Sequence, residues 1–378
     1  MKKIKSFLCI DDDPQLSSVC ASIGLRAPVK LTLQAPPNAW EKAIDEITAK
    51  LTSRKFDGLL LDFRLDEYPE TVNGVKVRYT AESLVNELRR RSVEDGNGDN
   101  SYPIILWSTA NNLSGYFSIN PSYTALYDGI WDKEVVRNNA LEYGLKLASL
   151  ASGYQSLHLA AKKNLPLHSV LNCAATSVLI EMEQAFVSKI KKAPYAFNYA
   201  TFVINRILRF NGVLIDLETI AAILGINAPG KIELIINKLS TPGKEIIYTG
   251  VFSSGNKRFW REPLLAALNQ LSGEHWVHLK ADLRAEILSK KFRLKNLTAA
   301  QSIHASYQTD FDCVCAYSRK PLARRNGYRI HPSTQDPWIQ PSYVAGTVYR
   351  MIPTSDVRRP QLDVGEQERF KSDFSSKP

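Results

Sequence analysis

Four places in the first third of the chain carry side chains that could act together. Asp11 and Asp12 close the apolar run SFLCI, Asp62 closes DGLLL, Ser108 and Thr109 follow PIILW, and Lys133 follows DGIWD. Carboxylates gathered in one pocket repel one another and hold a hard divalent cation, most naturally Mg²⁺. A lysine would pair with one of them, and a hydroxyl would stand nearby. Such a set suits phosphoryl transfer, with a carboxylate as nucleophile and with cation and ammonium neutralising the transferring group. Singly these residues say little, since a strand-end Asp is often a helix cap and a lone Lys a solvated surface residue. Their order, each at the end of an apolar run, says more.

The elements that must position them alternate. SFLCI, KLTLQAP, DGLLLD, YPIILWST and the weaker YDGIWDK read as strands. Between and after them QLSSVCASIGL, NAWEKAIDEITAKL, AESLVNELRRR and NALEYGLKLASLASGY have helical spacing. Strands that are apolar throughout, alternating with helices, predict a parallel sheet covered on both faces. In an open sheet of this kind ligands sit outside the carboxyl ends of the strands, where the four places fall. The polar stretches DEYPETVNG and VEDGNGDNS read as surface loops.

At 378 residues the chain is too long for one ordinary core. No apolar run reaches the length needed to cross a bilayer, and the basic start runs into three aspartates after a short apolar stretch. A buried strand rather than a signal peptide, and a cytoplasmic location, are the expectations. Five cysteines do not make a disulfide framework; Cys9, Cys20 and Cys173 fit as small buried residues. Residues 1–150 hold 18 Lys+Arg against 20 Asp+Glu, while the whole chain carries +10, so residues 151–378 carry +12. A basic part of this size could meet nucleic acid, an anionic ligand or an acidic protein.

The order FLCIDDDP, LLLDFRLDE, IILWSTA and GIWDK resembles the receiver domain of bacterial two-component response regulators over about residues 1–150. The resemblance implies an α/β, doubly wound, parallel five-stranded, flavodoxin-like domain. It also implies a phosphoprotein in a phosphorelay, with Asp62 as the phosphoacceptor and a histidine kinase as partner. By the same likeness Asp12, Asp62 and the backbone carbonyl of Arg64 would bind Mg²⁺ directly, and Asp11 through water. Thr109 would bond the phosphoryl oxygens, and Lys133 would pair with Asp62 or its phosphate. The domain would catalyse only its own phosphorylation and dephosphorylation. The sequence departs from the family at Glu134, where proline is common, at Ile130, where a switching aromatic is usual, and at Asp66. Trp107 and Trp131 are neighbours that could switch or simply pack. The combination LLLDFRLDE, ILWST, WDKE and LASGY is similar to a divergent receiver branch found in bacterial conflict, or anti-phage, gene clusters.

Beyond it the pattern predicts a helical connector over 151–194, broken at Asn164-Leu165-Pro166. Residues 195–265 can be read as a winged helix. FNYATFVINRILRFNG would be the first helix, and Asp216 would cap LETIAAILGI. PGKIELIINKLS would be the recognition helix, and KEIIYTGVFSSGNKRFWRE a hairpin. On that reading Lys257, Arg258 and Arg261 touch DNA phosphates, with Lys231 and Lys238 near the groove. Winged helices also bind proteins and form homodimers, so an adaptor or phosphate sink stands as the alternative. A defence effector with an unrecognised activity is the second. Residues 266–365 form a basic region of unknown fold, mainly α or α+β, and 366–378 are expected as a disordered tail. Cys313-x-Cys315 and His275-x-x-His278 would make a Cys₂His₂ zinc site only if all four met in space; two thiols on a strand that simply pack is the expectation. Arg319, Lys320, Arg324, Arg325 and Arg329, interleaved with Tyr317 and Tyr328, could bind phosphates, line a solvated surface or meet an acidic partner. No nucleophile–base pair, P-loop or dinucleotide fingerprint stands in this part.

Overall fold

The structure, a computed structural model, describes all residues except 1–2, 14, 66–76, 95–98, 111, 114–124, 175, 191–193, 241–244, 332–335, 357–358 and 376–378. The chain divides into two units, one of residues 1–205 with 249–256 and the other of 206–248 with 257–378.

The first unit is built on β1 (Lys5–Ile10), β2 (Val29–Gln34), β3 (Gly58–Asp62), β4 (Ile104–Ser108) and β5 (Gly129–Asp132). They form a five-stranded parallel sheet in the order β2-β1-β3-β4-β5. Helices α1 (Leu16–Arg26), α2 (Trp40–Thr52), α3 (Ala81–Glu94), α4 (Lys133–Asn138) and α5 (Ala140–Lys162) accompany it. The strands' alternation divides their side chains between two faces. Leu8, Ile10, Leu59, Leu61, Ile104 and Leu106 meet Ile44, Ile47, Leu84, Val85 and Leu88 of α2 and α3. The intervening Phe7, Cys9, Leu60, Ile105 and Trp107, also buried, point to the opposite face. There α1 and α5 run close because Gly144 lacks a side chain; a Cβ on it would lie 2.4 Å from that of Ala27. The α/β reading is thus met, strand by strand.

At the sheet's amino end Arg89 of α3 is buried. It donates to the Tyr102 carbonyl (2.6 Å) and to Asp128 Oδ2 (2.8 Å). Asp128 also accepts from the Ile104 amide and from the Tyr154 hydroxyl, each at 2.8 Å. A buried ion pair this fully bonded fixes the start of β4 and β5 against α5.

The expected boundaries at 150 and 194 are not boundaries here. Helix α5 runs unbroken through residue 150. Helices α6 (Leu167–Val170), α7 (Ser177–Ser188) and α8 (Ala196–Phe202) belong to the same unit. The first amides of α8 are tied to the loop before β4, Ala196 N to Asp99 (2.5 Å) and Phe197 N to Ser101 Oγ (3.2 Å). Residues 249–256 join this unit too. The Phe252 ring lies on Gly153, where a Cβ would come within 2.2 Å of it, and Ser254 Oγ bonds Ser149 Oγ at 3.0 Å.

The second unit opens, after a π-helical stretch Val203–Leu208, with β6 (Leu214–Ile215), α9 (Leu217–Leu224) and α10 (Pro229–Leu239). Asp216 caps α9 as the sequence predicts, accepting from the Thr219 amide at 2.9 Å. Gly225 ends it at φ 70°, a left-handed position that favours glycine. β7 (Phe259–Trp260) pairs antiparallel with β6, and Ile247 bridges to Phe259. Helices α11 (Arg261–Ser272) and α12 (Ala281–Phe292) complete a core around Trp276. The fully buried Arg284 takes the carbonyls of Ile223 (2.8 Å), Phe311 (2.6 Å) and Val277 (2.9 Å). Short strands β8 (Cys313–Val314), β9 (Pro321–Leu322), β10 (Gly327–Arg329) and β11 (Tyr343–Ala345) follow, then α13 (Gly346–Met351) and α14 (Val364–Ser375). The last helix corrects the expected disordered tail: Phe370 and Phe374, one turn apart, pack on Tyr328, with ring centroids 5.2 and 6.3 Å away. Among the described residues no helix is long and apolar enough to cross a membrane.

Candidate functional site

The strand register builds the site. Ile10 lies opposite Leu61, which sets Asp11 beside Asp62 at the carboxyl edge of the sheet. Asp62 lies opposite Trp107, and Ser108 opposite Asp132, so the residues after β4 and β5 reach the same edge. Asp132 caps α4 by accepting from the Glu134 and Val135 amides (2.8 and 3.2 Å), and this sends Lys133 inward. Its ammonium stands 2.9 Å from Asp11 Oδ2 and 2.9 Å from Asp62 Oδ1.

Asp11, Asp12 and Asp62 are all buried, and one carboxylate oxygen from each lies within 4.8 Å of the others. This is a donor set for an oxygen-ligated divalent cation, so the residues fit Mg²⁺. One ammonium among three carboxylates leaves an excess of negative charge away from water. Burial, then Asp11, pushes the Asp62 carboxyl up to about 7. Burial also raises Asp11. Burial works against the charge on Lys133, but Asp62 and Asp11 outweigh it and hold the lysine above its usual range.

The other predicted positions are placed around this core. Thr109 directly follows β4, exposed, with its carbonyl accepting from the Leu113 amide at 3.1 Å. Arg64 is exposed two residues beyond Asp62. Trp107 is fully buried and lies under the Lys133 ammonium, 5.9 Å from its ring centroid, while Trp131 stacks edge-on with Tyr143. Ile130 packs against the core beneath α2 and α3, and Glu134 faces Arg137 at 3.2 Å. Asp66 lies outside the described residues. The buried set Arg89, Asp128 and Tyr154 was missed; the only sequence signal was an Asp at the amino end of a strand, a position with no chemistry assigned to it.

The residues expected at a nucleic-acid interface each have a partner within the protein. Lys257 pairs with Glu233, and Arg258 donates to the Leu208 carbonyl and to Asn211 Oδ1 (3.2 Å). Arg261 faces the Gln340 amide, whose oxygen accepts from its Nε at 2.7 Å. Lys231 and Lys238 reach backbone carbonyls of residues 292–296. The arginines of 319–329 are matched one by one: Arg319 with Asp216, Arg324 with Asp312, Arg325 with Asp310 and Arg329 with Asp363. Cys313 donates to the Leu322 carbonyl and Cys315 accepts from the Ala345 amide (3.5 Å), so both thiols are occupied within their sheets. His275 and His278 lie beside one another, ring centroids 5.6 Å apart, and among the described residues Asp11, Asp12 and Asp62 form the single metal-competent cluster.

No protein family's sequence profile matches the chain, and no curated protein matches it.

Proposed function

We propose that the first unit is a receiver-like phosphoacceptor, with Asp62 as the residue that takes the phosphoryl group. The observation that carries this reading is the Lys133 ammonium at 2.9 Å from both Asp11 and Asp62, with Asp12 gathered at the same sheet edge. Asp62 Oδ attacks the phosphorus of a phosphohistidine or of a small acyl phosphate. An O–P bond forms, the donor's N–P or O–P bond breaks, and imidazole or carboxylate leaves. Asp11, Asp12 and Asp62, with the Arg64 carbonyl, would hold Mg²⁺, which when bound neutralises charge on the transferring oxygens. Lys133 keeps Asp62 oriented and, once the acyl phosphate forms, offers the same ammonium to its oxygens. Thr109, at the head of the segment after β4, would donate its hydroxyl to them. The donor in the cell would be a histidine kinase.

The order of β6, α9 and α10 and the bridging of Ile247 to Phe259 support the winged-helix reading of 195–265 for its part in the second unit, while its first helix (Ala196–Phe202) and the hairpin tip 249–256 belong to the first unit. The winged helix would be the output part of a signalling protein.

Incubation of the full chain with acetyl phosphate and Mg²⁺ should add one phosphoryl group, read by intact-mass spectrometry, and beryllofluoride should block the addition. Asp62→Asn should abolish the adduct while the far-UV spectrum stays unchanged. No adduct on the wild type, or one that persists in Asp62→Asn, would overturn the reading.

A further inference from the structure

We propose that the turn closing α12, with two lysines of α10 pinned onto it, is a binding surface for the phosphodiester backbone of a duplex nucleic acid. The inference does not rest on phosphorylation of Asp62. Arg293 and Asn296 both take left-handed backbone angles, φ 54° and 57°. They fold the chain back so that its carbonyls face α10. Lys238 donates to the Phe292 carbonyl at 3.2 Å, and Lys231 to that of Asn296 at 3.2 Å and to that of Lys295. A carbonyl orients an ammonium but leaves its charge uncompensated.

Lys291, Arg293 and Lys295 of the same turn are exposed and have no carboxylate partner among the described residues. The nearby acids are taken, Glu286 by Lys290 and Glu233 by Lys257. Five cations therefore gather with no carboxylate partner among the described residues. The other basic run, 319–329, is the contrast: there each arginine meets an aspartate.

A plainer role would be to complement the negative end of the α12 dipole. That end amounts to roughly half an elementary charge, and its effect fades within the last turn. One lysine suffices for it, and Lys295, Lys231 and Lys238 lie outside that turn or on another helix. An acidic protein is the other polyanion to consider. Protein interfaces are anchored by apolar and aromatic side chains and are depleted in lysine. Here Phe292, Leu294 and Leu297 turn inward to the core around Trp276, so the surface offers charge without an anchor. Contacts to a phosphate backbone need nothing more than that.

The test is fluorescence anisotropy of the full chain, with and without acetyl phosphate. Its probes are duplex DNA and duplex RNA of about two helical turns and the corresponding single strand, with polyglutamate as competitor. Lys291→Ala/Arg293→Asn/Lys295→Ala keeps a residue that tolerates the left-handed turn, and Lys291→Glu/Lys295→Glu leaves Arg293 untouched. Lys30→Ala/Lys55→Ala/Lys163→Ala removes the same charge from exposed sites elsewhere. Duplex binding should weaken about tenfold or more in both patch variants at about 0.1 M salt, with a salt slope shallower by about 2 to 3, and less than about twofold in the control. Preference between DNA and RNA identifies the duplex. The proposal is overturned by the absence of duplex binding in either state, by equal loss in the control, by binding of the single strand alone, or by capture of polyglutamate in preference to the duplex.

Discussion

Lys133 holds two carboxylates at once, 2.9 Å from each, and it does so under the shelter of a strand edge. The electrostatic cost falls on Asp62, whose carboxyl is pushed up to about 7 from an ordinary 3.8 by burial and by Asp11. Between those values the folded chain keeps a proton that the unfolded chain has released. Its contribution to stability is therefore full below the unfolded value and is lost as pH rises through about 7. Asp62→Asn removes the penalty. In chelator, its melting temperature should exceed that of the wild type by about 2–6 °C near pH 8, and the gap should close toward about pH 4. A gap of equal size at both ends, measured by differential scanning fluorimetry, would place the effect outside this carboxyl. The trio Asp11, Asp62 and Lys133 was legible because each ends a short apolar run, and a parallel register needs little else to bring strand ends together. Arg258 was not legible. Its guanidinium is drawn to the Leu208 carbonyl, and nothing in a sequence says that a backbone oxygen 50 residues earlier waits for a donor.

Helix α5 is the element on which the first unit turns. Its first half packs Gly144 on Ala27, and further along, at adjacent positions, Gly153 receives Phe252 and Tyr154 bonds to the Arg89–Asp128 pair. Phe252 has φ 65°, a conformation costing an L-residue roughly 1–2 kcal/mol, yet it is fully packed. Burying its ring is worth about 2–3 kcal/mol, enough to offset the strain. Gly153 makes that burial geometrically feasible. Gly153→Ala should destabilise the chain by about 1–3 kcal/mol through overpacking, read from the midpoint of urea unfolding. An unchanged midpoint would show that the Phe252 ring moves aside at no cost. The apolar strands and the amphipathic α1, α2 and α3 were readable from periodicity. The end of the first domain was not, because ASLASGY looks like the close of a domain when it is the middle of a helix whose small residues accept a distant loop. The terminal helix was hidden for a related reason: its charged composition outweighed the two phenylalanines that dock it.

For the molecule as a whole, charge was the property read most directly from composition, with a net of −2 over residues 1–150 and +12 over the remainder. Composition could not say which of those cations are neutralised, since that depends on which acids the fold brings near; the paired arginines of 319–329 and the unpaired turn at 291–295 look alike as text. Nor could it show that the first unit is discontinuous. A fragment ending at residue 205 lacks 249–256 and should exchange its backbone amides around 149–156 faster than the full chain does, by hydrogen-exchange mass spectrometry. Identical protection would mean that the loop contributes nothing to α5. The placement of Phe252 on Gly153 also has a consequence in time. During synthesis α5 is complete when residue 162 has been added, but the ring that covers its middle is some 90 residues away. At ribosomal speeds that interval lasts roughly 5–20 s. Through it the middle of α5 stands uncovered at Gly153, so the helix is complete before the side chain that packs on it has been made.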